Sequence, residues 1–274
     1  MTDNPKTPVP ARPASTVVIL RDGADGIEVF MVVRHHQIDF ASGALVFPGG
    51  KVDKEDSDAA WAELAPQAPA SPDRSFFVAA GRETFEEAGL MLARKGGTQE
   101  IVDADHAHQL VEKYRAALLK GDTTFVDIVR DEGLVVAADL MVPFAHWITP
   151  EAVPKRFDTH FFLIAAPVVQ LGAHDGSESV EGVWITPQQA LREAEAGTRT
   201  LVFATRMNIE KLARYRTVAE AVEVTRSRPV VTVIPKILRS DSGRKLQIPA
   251  EADYGVTEVF VEEGSKLGTA AHRG

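Results

Sequence analysis

Arg82-Glu83-Thr84-Phe85-Glu86-Glu87-Ala88-Gly89-Leu90 is the stretch on which the reading of this 274-residue chain turns. It closes a segment that opens with Ser71-Pro72-Asp73, and that opening has the chemistry of a helix start. Serine is a good N-cap, proline suits the first helical position, and aspartate favours the positive end of the helix dipole. Gly89 is a natural stop. The predicted helix therefore runs from Ser71 to Gly89. At about 100° per residue, Phe77, Gly81, Phe85 and Ala88 share one narrow stripe that should face a core. Glu83, Glu86 and Glu87 fall on nearly the opposite side.

These carboxylates stand at i, i+3 and i+4 and are side-by-side neighbours on a helix surface. Like charges so placed repel by ~0.2–0.5 kcal/mol per pair, and only Arg82 lies close enough in sequence to offset them. A fold gains nothing from the cluster itself. A hard divalent cation does, because Mg²⁺ and Mn²⁺ prefer carboxylate oxygens. The plain alternative is a solvated acidic helix face.

The residues leading into the helix weigh against that alternative. Gly50, then Asp56, then Arg82 to Leu90 closely resembles the box of the Nudix hydrolase family. There a glycine and an acid lead into Arg-Glu-(apolar)-x-Glu-Glu-x-Gly-(apolar), forming a metal-binding loop–helix–loop. Chance places five charged or glycine positions in that register on the order of once per 10⁶ starting points. The chain departs from the pattern in several ways. Thr84 replaces an aliphatic residue, Asp56 stands where Glu is usual, and the family's spacing from acid to arginine is eight rather than 26. The Ala- and Pro-rich stretch from Ala62 to Pro72 accounts for the extra length, an insertion over about 57–72. Interrupted boxes of this kind occur in Nudix members similar to mammalian coenzyme A diphosphatases.

The resemblance implies a Nudix α/β/α sandwich with a mixed sheet, elaborated by the box insertion and a C-terminal extension. It implies Glu86 and Glu87 as metal ligands, Glu83 as a ligand or general base, and Arg82 as the residue orienting one of these three carboxylates by a bidentate pair. Gly50 matches the glycine whose neighbourhood offers a backbone carbonyl to metal, and Asp56 is a supporting acid. The implied reaction is Mg²⁺- or Mn²⁺-dependent hydrolysis of a diphosphate linked to another moiety. Elementary chemistry agrees. A diphosphate repels anionic nucleophiles, so cations must neutralise its oxygens and activate water. Mutual repulsion among the carboxylates keeps at least one basic enough to take a proton.

Upstream, Arg34, Gly43 and Phe47-Pro48-Gly49-Gly50 match the spacing in one group of coenzyme A diphosphatases, whereas His35 and Asp39 do not. Coenzyme A or an acyl derivative is thus the preferred substrate, with Arg34 as a contact. Alternatives are ADP-ribose, another nucleotide sugar or dinucleotide, or a non-catalytic Nudix-like binding module. The proline usual in the ADP-ribose group some way past the box is replaced here by Asp105 and His106. Downstream, Arg156-Phe157-Asp158-Thr159-His160 offers Arg156 for a phosphate and Asp158 to assist metal or orient that arginine. The structural alternative is an edge strand carrying an Asp–Arg pair. Glu178 and Glu181, before Val183-Trp184-Ile185, are further candidate acids. Adjacent His35 and His36 would point to opposite faces of a strand, which speaks against a zinc pair there.

Composition sets outer limits. Thirty Lys plus Arg against 39 Asp plus Glu leave a net charge of −9, against a nucleic-acid backbone binder. With no cysteine, disulfides, thiolate metal sites and thiol catalysis are impossible. No apolar run reaches membrane-spanning length, and Met1 to Ser15 is Pro-rich without a signal-peptide core. The expectation is a cytosolic protein with a small diphosphate substrate and no membrane or nucleic-acid partner.

The predicted organisation is a flexible tail (1–15), a Nudix domain (16–200), an extension packed on it (201–263) and a second tail (264–274). Within it, Thr16–Leu20 and Ile27–Arg34 form a hairpin, Leu45–Phe47 a short strand, and His106–Lys120 a helix. His160–Ala166 and Val180–Ile185 are predicted strands. Pro187–Ala196 and Met207–Val224 are predicted helices, the latter serving core or dimer packing. Pro229–Val261 reads as strand-rich.

Overall fold

Arg12–Gly23, whose centre Thr16-Val17-Val18-Ile19-Leu20 is an unbroken β-branched and apolar run, forms the central strand β1. It turns at Ala24-Asp25 into β2 (Gly26–Val33), with Leu20 opposite Val29 and Gly23 opposite Gly26. The predicted hairpin is present, but β1 begins inside the predicted tail, because Arg12–Ser15 pair in parallel with Phe157–His160. The structure, a computed structural model, describes residues 9–33, 44–171, 182–240 and 243–262.

Beyond the hairpin come β3 (Ala44–Val46), β4 (Gly49–Lys51), a helical turn α1 (Trp61–Leu64), the helix α2 (Arg74–Ala88) and β5 (Ala93–Lys95). A continuous helical segment follows: α3 (Ala104–Leu110), a π-helical turn (Val111–Arg115) and α4 (Ala116–Lys120). Next are α5 (Phe125–Asp131), β6 (Leu134–Val136), β7 (Val142–Ile148), β8 (Phe157–Ala165), α6 (Val168–Leu171) and β9 (Gly182–Ile185). The chain continues through α7 (Pro187–Glu195), β10 (Thr200–Leu201), α8 (Phe203–Leu212), α9 (Val218–Arg226), β11 (Thr232–Val233) and the strands β12 (Lys236–Ser240), β13 (Gly243–Gln247) and β14 (Glu258–Glu262).

The main sheet is mixed, in the order β10-β3-β2-β1-β8-β7-β11, with β4 also on β1 and β9 on β2. Strand alternation divides its side chains between two cores. Val17, Ile19, Phe162 and Ile164 pack with Phe77, Val78 and Phe85 of α2. Val18, Leu20, Phe161 and Leu163 pack with Ala190, Ile209, Leu212 and Ala221 of α7, α8 and α9. Helices thus cover both faces. Leu246, Ile248, Tyr254 and Val259 of the C-terminal strands and loops join the second core.

Several local expectations need correction. The N-cap of α2 is Asp73, whose carboxylate accepts from Ser75 N at 3.0 Å, so Ser71 and Pro72 precede the helix. An aspartate at the cap satisfies an orphan helix donor as well as serine would. Met207–Val224 is two helices, because the chain leaves the helix after Leu212 and restarts at the N-cap Thr217. Within the 57–72 insertion, which could equally have read as an ordered excursion or a loose loop, Trp61 is buried and stacks on Phe125 at 5.8 Å.

Candidate active site

The acidic side of α2 is not a solvated face. The helix is buried nearly all round from Phe77 to Phe85, and Glu83 is only 7% exposed. What covers it is the segment from Gly49 to Ser57. β4 pairs with β1, placing Gly50 opposite Ser15. A 3₁₀ turn (Lys54–Ser57) then brings Asp56, 2% exposed, under the helix.

Arg82 organises this junction. Its Nε and Nη2 donate to the two carboxylate oxygens of Asp56 at 3.0 and 2.9 Å. Nη2 also donates to the Lys51 carbonyl at 2.8 Å, and Nη1 donates to Glu83 at 2.8 Å and Glu86 at 3.2 Å. Asp56 in turn accepts from the Asp53 backbone N–H at 2.8 Å. The bidentate partner of Arg82 is therefore Asp56, across the whole insertion, and not one of the helix glutamates, of which Glu83 and Glu86 each receive a single bond. Such a fork-to-fork pair fixes orientation as well as charge.

The glycines are fitted to the acids. A Cβ on Gly50 would collide with the Glu83 carboxylate, and one on Gly49 with the Ser15 carbonyl. Gly49 N–H donates to Glu87 Oε2 at 2.9 Å. Gly89 ends α2 at φ 66°, a left-handed value that suits glycine, with its N–H on the Phe85 carbonyl.

Burial raises the Glu83 carboxyl to about 8; Arg82 opposes the shift, while Glu86 and Glu87 add to it. Burial also raises Glu86, again against Arg82. Arg115, on the π turn, donates from Nε to the Glu86 carbonyl at 2.6 Å, and burial lowers its pKa. Sequence reading missed Arg115, the Lys51 carbonyl and Asp53. Arg115 lies 29 positions past Glu86 in an unremarkable amphipathic helix and carries no local signal. Asp53-x-x-Asp56 is a turn-capping spacing that could have been noticed.

A divalent cation fits these residues by donor chemistry. Glu83, Glu86, Glu87 and the acids below them outnumber Arg82 and Arg115, and buried like charges in that excess persist only when neutralised. All the donors are oxygens, the preference of Mg²⁺ and Mn²⁺.

Of the remaining predicted residues, only Arg156 and Asp158 are among those described. Arg34 and Glu181, with Glu178, His35, His36 and Asp39, fall outside the described residues. Arg156 donates to the backbone carbonyls of Thr149 (2.9 Å) and Val9 (2.7 Å). Asp158 does not pair with it but with His146 Nε2, at 2.5 Å. Nor is their strand an edge: β8 lies between β1 and β7. Asp158 lies opposite Ile148 and reaches His146 diagonally across that interior pairing, whereas Arg156 precedes the strand.

Comparison with known proteins adds an independent line. The family profile described as the NUDT19 Nudix domain matches residues 66–202, half of the chain. Nudix hydrolase 7 of Caenorhabditis elegans is 30% identical over 176 residues, 63% of this chain and 51% of that protein. The acyl-coenzyme A diphosphatase NUDT19 of Xenopus laevis is 23% identical over 206 residues, 61% of this chain and 54% of that protein. The chain spans about half the length of the curated relatives it matches. Among solved structures, a NUDIX hydrolase from Alicyclobacillus acidocaldarius superposes with a TM-score of 0.64 at 28% identity, covering 81% of this chain and 98% of that one. Among the described residues, no helix is long and apolar enough to cross a membrane.

Proposed function

Because the chain belongs to the Nudix hydrolase family, we propose that it hydrolyses a diphosphate linkage with the help of Mg²⁺ or Mn²⁺, and that its substrate is coenzyme A or an acyl-coenzyme A. The observation that carries the reaction class is the clustering of Glu83 and Glu86 on an arginine held by Asp56, with Glu87 beside them on the Gly49 N–H. The substrate class is supported by relatives named acyl-coenzyme A diphosphatases and by the Phe47-Pro48-Gly49-Gly50 spacing. A small-molecule diphosphate is the partner.

Glu86 and Glu87 would hold the cation, and the strand carrying Gly50 and the Lys51 carbonyl closes the site from below. When bound, the ion neutralises the diphosphate oxygens and makes the attacking water more acidic. Glu83 takes the water proton at its carboxylate, which is free to do so once the proton that burial otherwise holds there is displaced by a bound cation. Arg82 does not touch the substrate. It holds Glu83 and Glu86 in place, being itself fixed by two bonds to Asp56. Water adds to one phosphorus, the bridging P–O bond breaks, and two phosphorylated products leave.

The test is a Mg²⁺-supplemented hydrolysis screen over coenzyme A, acyl-coenzyme A, ADP-ribose, NADH and dinucleoside polyphosphates. Coenzyme A derivatives should be turned over fastest, and Glu86→Gln or Glu87→Gln should lower kcat at least about 100-fold with the fold intact. Product from ADP-ribose alone would overturn the substrate, and no product from any compound would overturn the enzyme reading in favour of a binding module.

A further inference from the structure

Outside the acidic cluster, β7 and β8 carry a second set of metal-type donors. His146 and His160 are opposed in antiparallel register, and Asp158 precedes His160 by two residues on the same strand face. Ligand atoms of the three lie within 4.8 Å of one another. The His160 ring lies flat against that of His146, at 3.9 Å and 10°, and meets Phe76 edge-on at 4.4 Å. His146 is held at both nitrogens, Nδ1 by Thr232 Oγ1 at 2.8 Å and Nε2 by Asp158 at 2.5 Å. Among the described residues, none hydrogen-bonds a ring nitrogen of His160. The group is partly open, with His146 15% and Asp158 33% exposed.

We infer that His146, Asp158 and His160 form a binding site for a zinc-type divalent transition ion, separate from the carboxylates of α2. Two imidazoles and one carboxylate suit Zn²⁺ and similar ions, whereas the all-oxygen set on α2 suits Mg²⁺. Bonds of ~2.0–2.2 Å in a tetrahedral arrangement hold donors roughly 3.4 Å apart. The backbone register already brings the three side chains together, so only side-chain rotation is needed. The His146–Asp158 contact opens, and the His160 ring turns out of its stack. Thr232 serves as the outer partner: its hydroxyl accepts from Nδ1–H and leaves the Nε2 lone pair facing the ion, as outer-shell groups do for metal-bound histidines. Gly50, Ser15, His160 and His146 sit on the successive strands β4, β1, β8 and β7. Three strand spacings of ~4.8 Å put the backbone of this site roughly 14 Å from Gly50. An ion here clamps β7 to β8 and, through Thr232, draws in β11.

The test titrates ZnCl₂ into chelator-treated full-length protein by calorimetry, with Mg²⁺ in excess to occupy the α2 acids. One zinc per chain is expected, together with a rise in melting temperature, and Co²⁺ should give visible d–d bands. His160→Gln and Asp158→Asn should weaken zinc at least about tenfold, while Glu86→Gln keeps the zinc equivalent. Thr232→Val leaves the ligands in place and should weaken zinc by roughly 10–100-fold. Absence of zinc heat and cobalt bands from the wild type would overturn the site. So would zinc bound equally tightly by His160→Gln and Asp158→Asn.

Discussion

Asp56 and Arg82 are 26 positions apart in sequence and face each other through two hydrogen bonds, at 3.0 and 2.9 Å, in a place almost closed to solvent. The insertion between them is therefore a detour of the chain and not of the site. Removing one partner of a buried ion pair leaves the other charge uncompensated, at a cost of ~3–5 kcal/mol. Arg82 keeps Lys51, Glu83 and Glu86, which places Asp56→Ala near the lower end, ~3 kcal/mol. Urea unfolding measures this, and a change under about 1 kcal/mol would contradict the role assigned to the pair.

Gly50 is a position where activity and stability should separate. A methyl group there meets the Glu83 carboxylate, the far end of a side chain that can swing aside. Gly50→Ala should thus cost little stability but displace Glu83, lowering kcat by roughly tenfold or more. Paired melting and turnover measurements check this, and full activity in the variant would show that the position of Glu83 is irrelevant.

Protonation of Glu83 makes metal-free stability depend on pH. Its folded pKa is about 8 against 4.5 for the ordinary group, so the folded state holds a proton that the unfolded state gives up between those values. Stability therefore falls as pH rises through that window. A bound cation competes with the proton, so Mg²⁺ should raise the melting temperature more at pH 8 than at pH 5. Melting curves with and without Mg²⁺ across this range provide the check; a Mg²⁺ effect larger at the acidic end would refute the assignment.

Tyr254 tests whether the C-terminal strands share the core of the main sheet. Its hydroxyl accepts from Trp147 Nε1 at 2.8 Å and donates to Asn208 Oδ1 at 2.8 Å, all three groups being buried. Tyr254→Phe leaves both partners unsatisfied and should destabilise by ~1–3 kcal/mol in one cooperative transition. A separate early transition for the C-terminal segment would show that it folds independently.

The legible parts of this protein are those governed by spacing along the chain. The hairpin of β1 and β2 follows from two β-branched runs around a polar turn. The register of Glu83, Glu86 and Glu87 follows from helical geometry, and the stop at Gly89 from glycine's access to a left-handed conformation. Even the strand-rich nature of Pro229–Val261 shows in its apolar and β-branched composition.

Other features were invisible because they depend on which distant segments meet. Sequence distance made Asp56 look detached from Arg82, yet a 3₁₀ turn and β4 carry it back under the helix. Nothing near Asp158 indicated that its partner would be His146, since strand pairing and not chain order set that contact. Local periodicity fixes which side chains share a face, because neighbouring backbone torsions repeat. Burial and pairing arise only when separate elements close on one another, and that closure turned an apparently exposed acidic stripe into a covered cluster around one arginine.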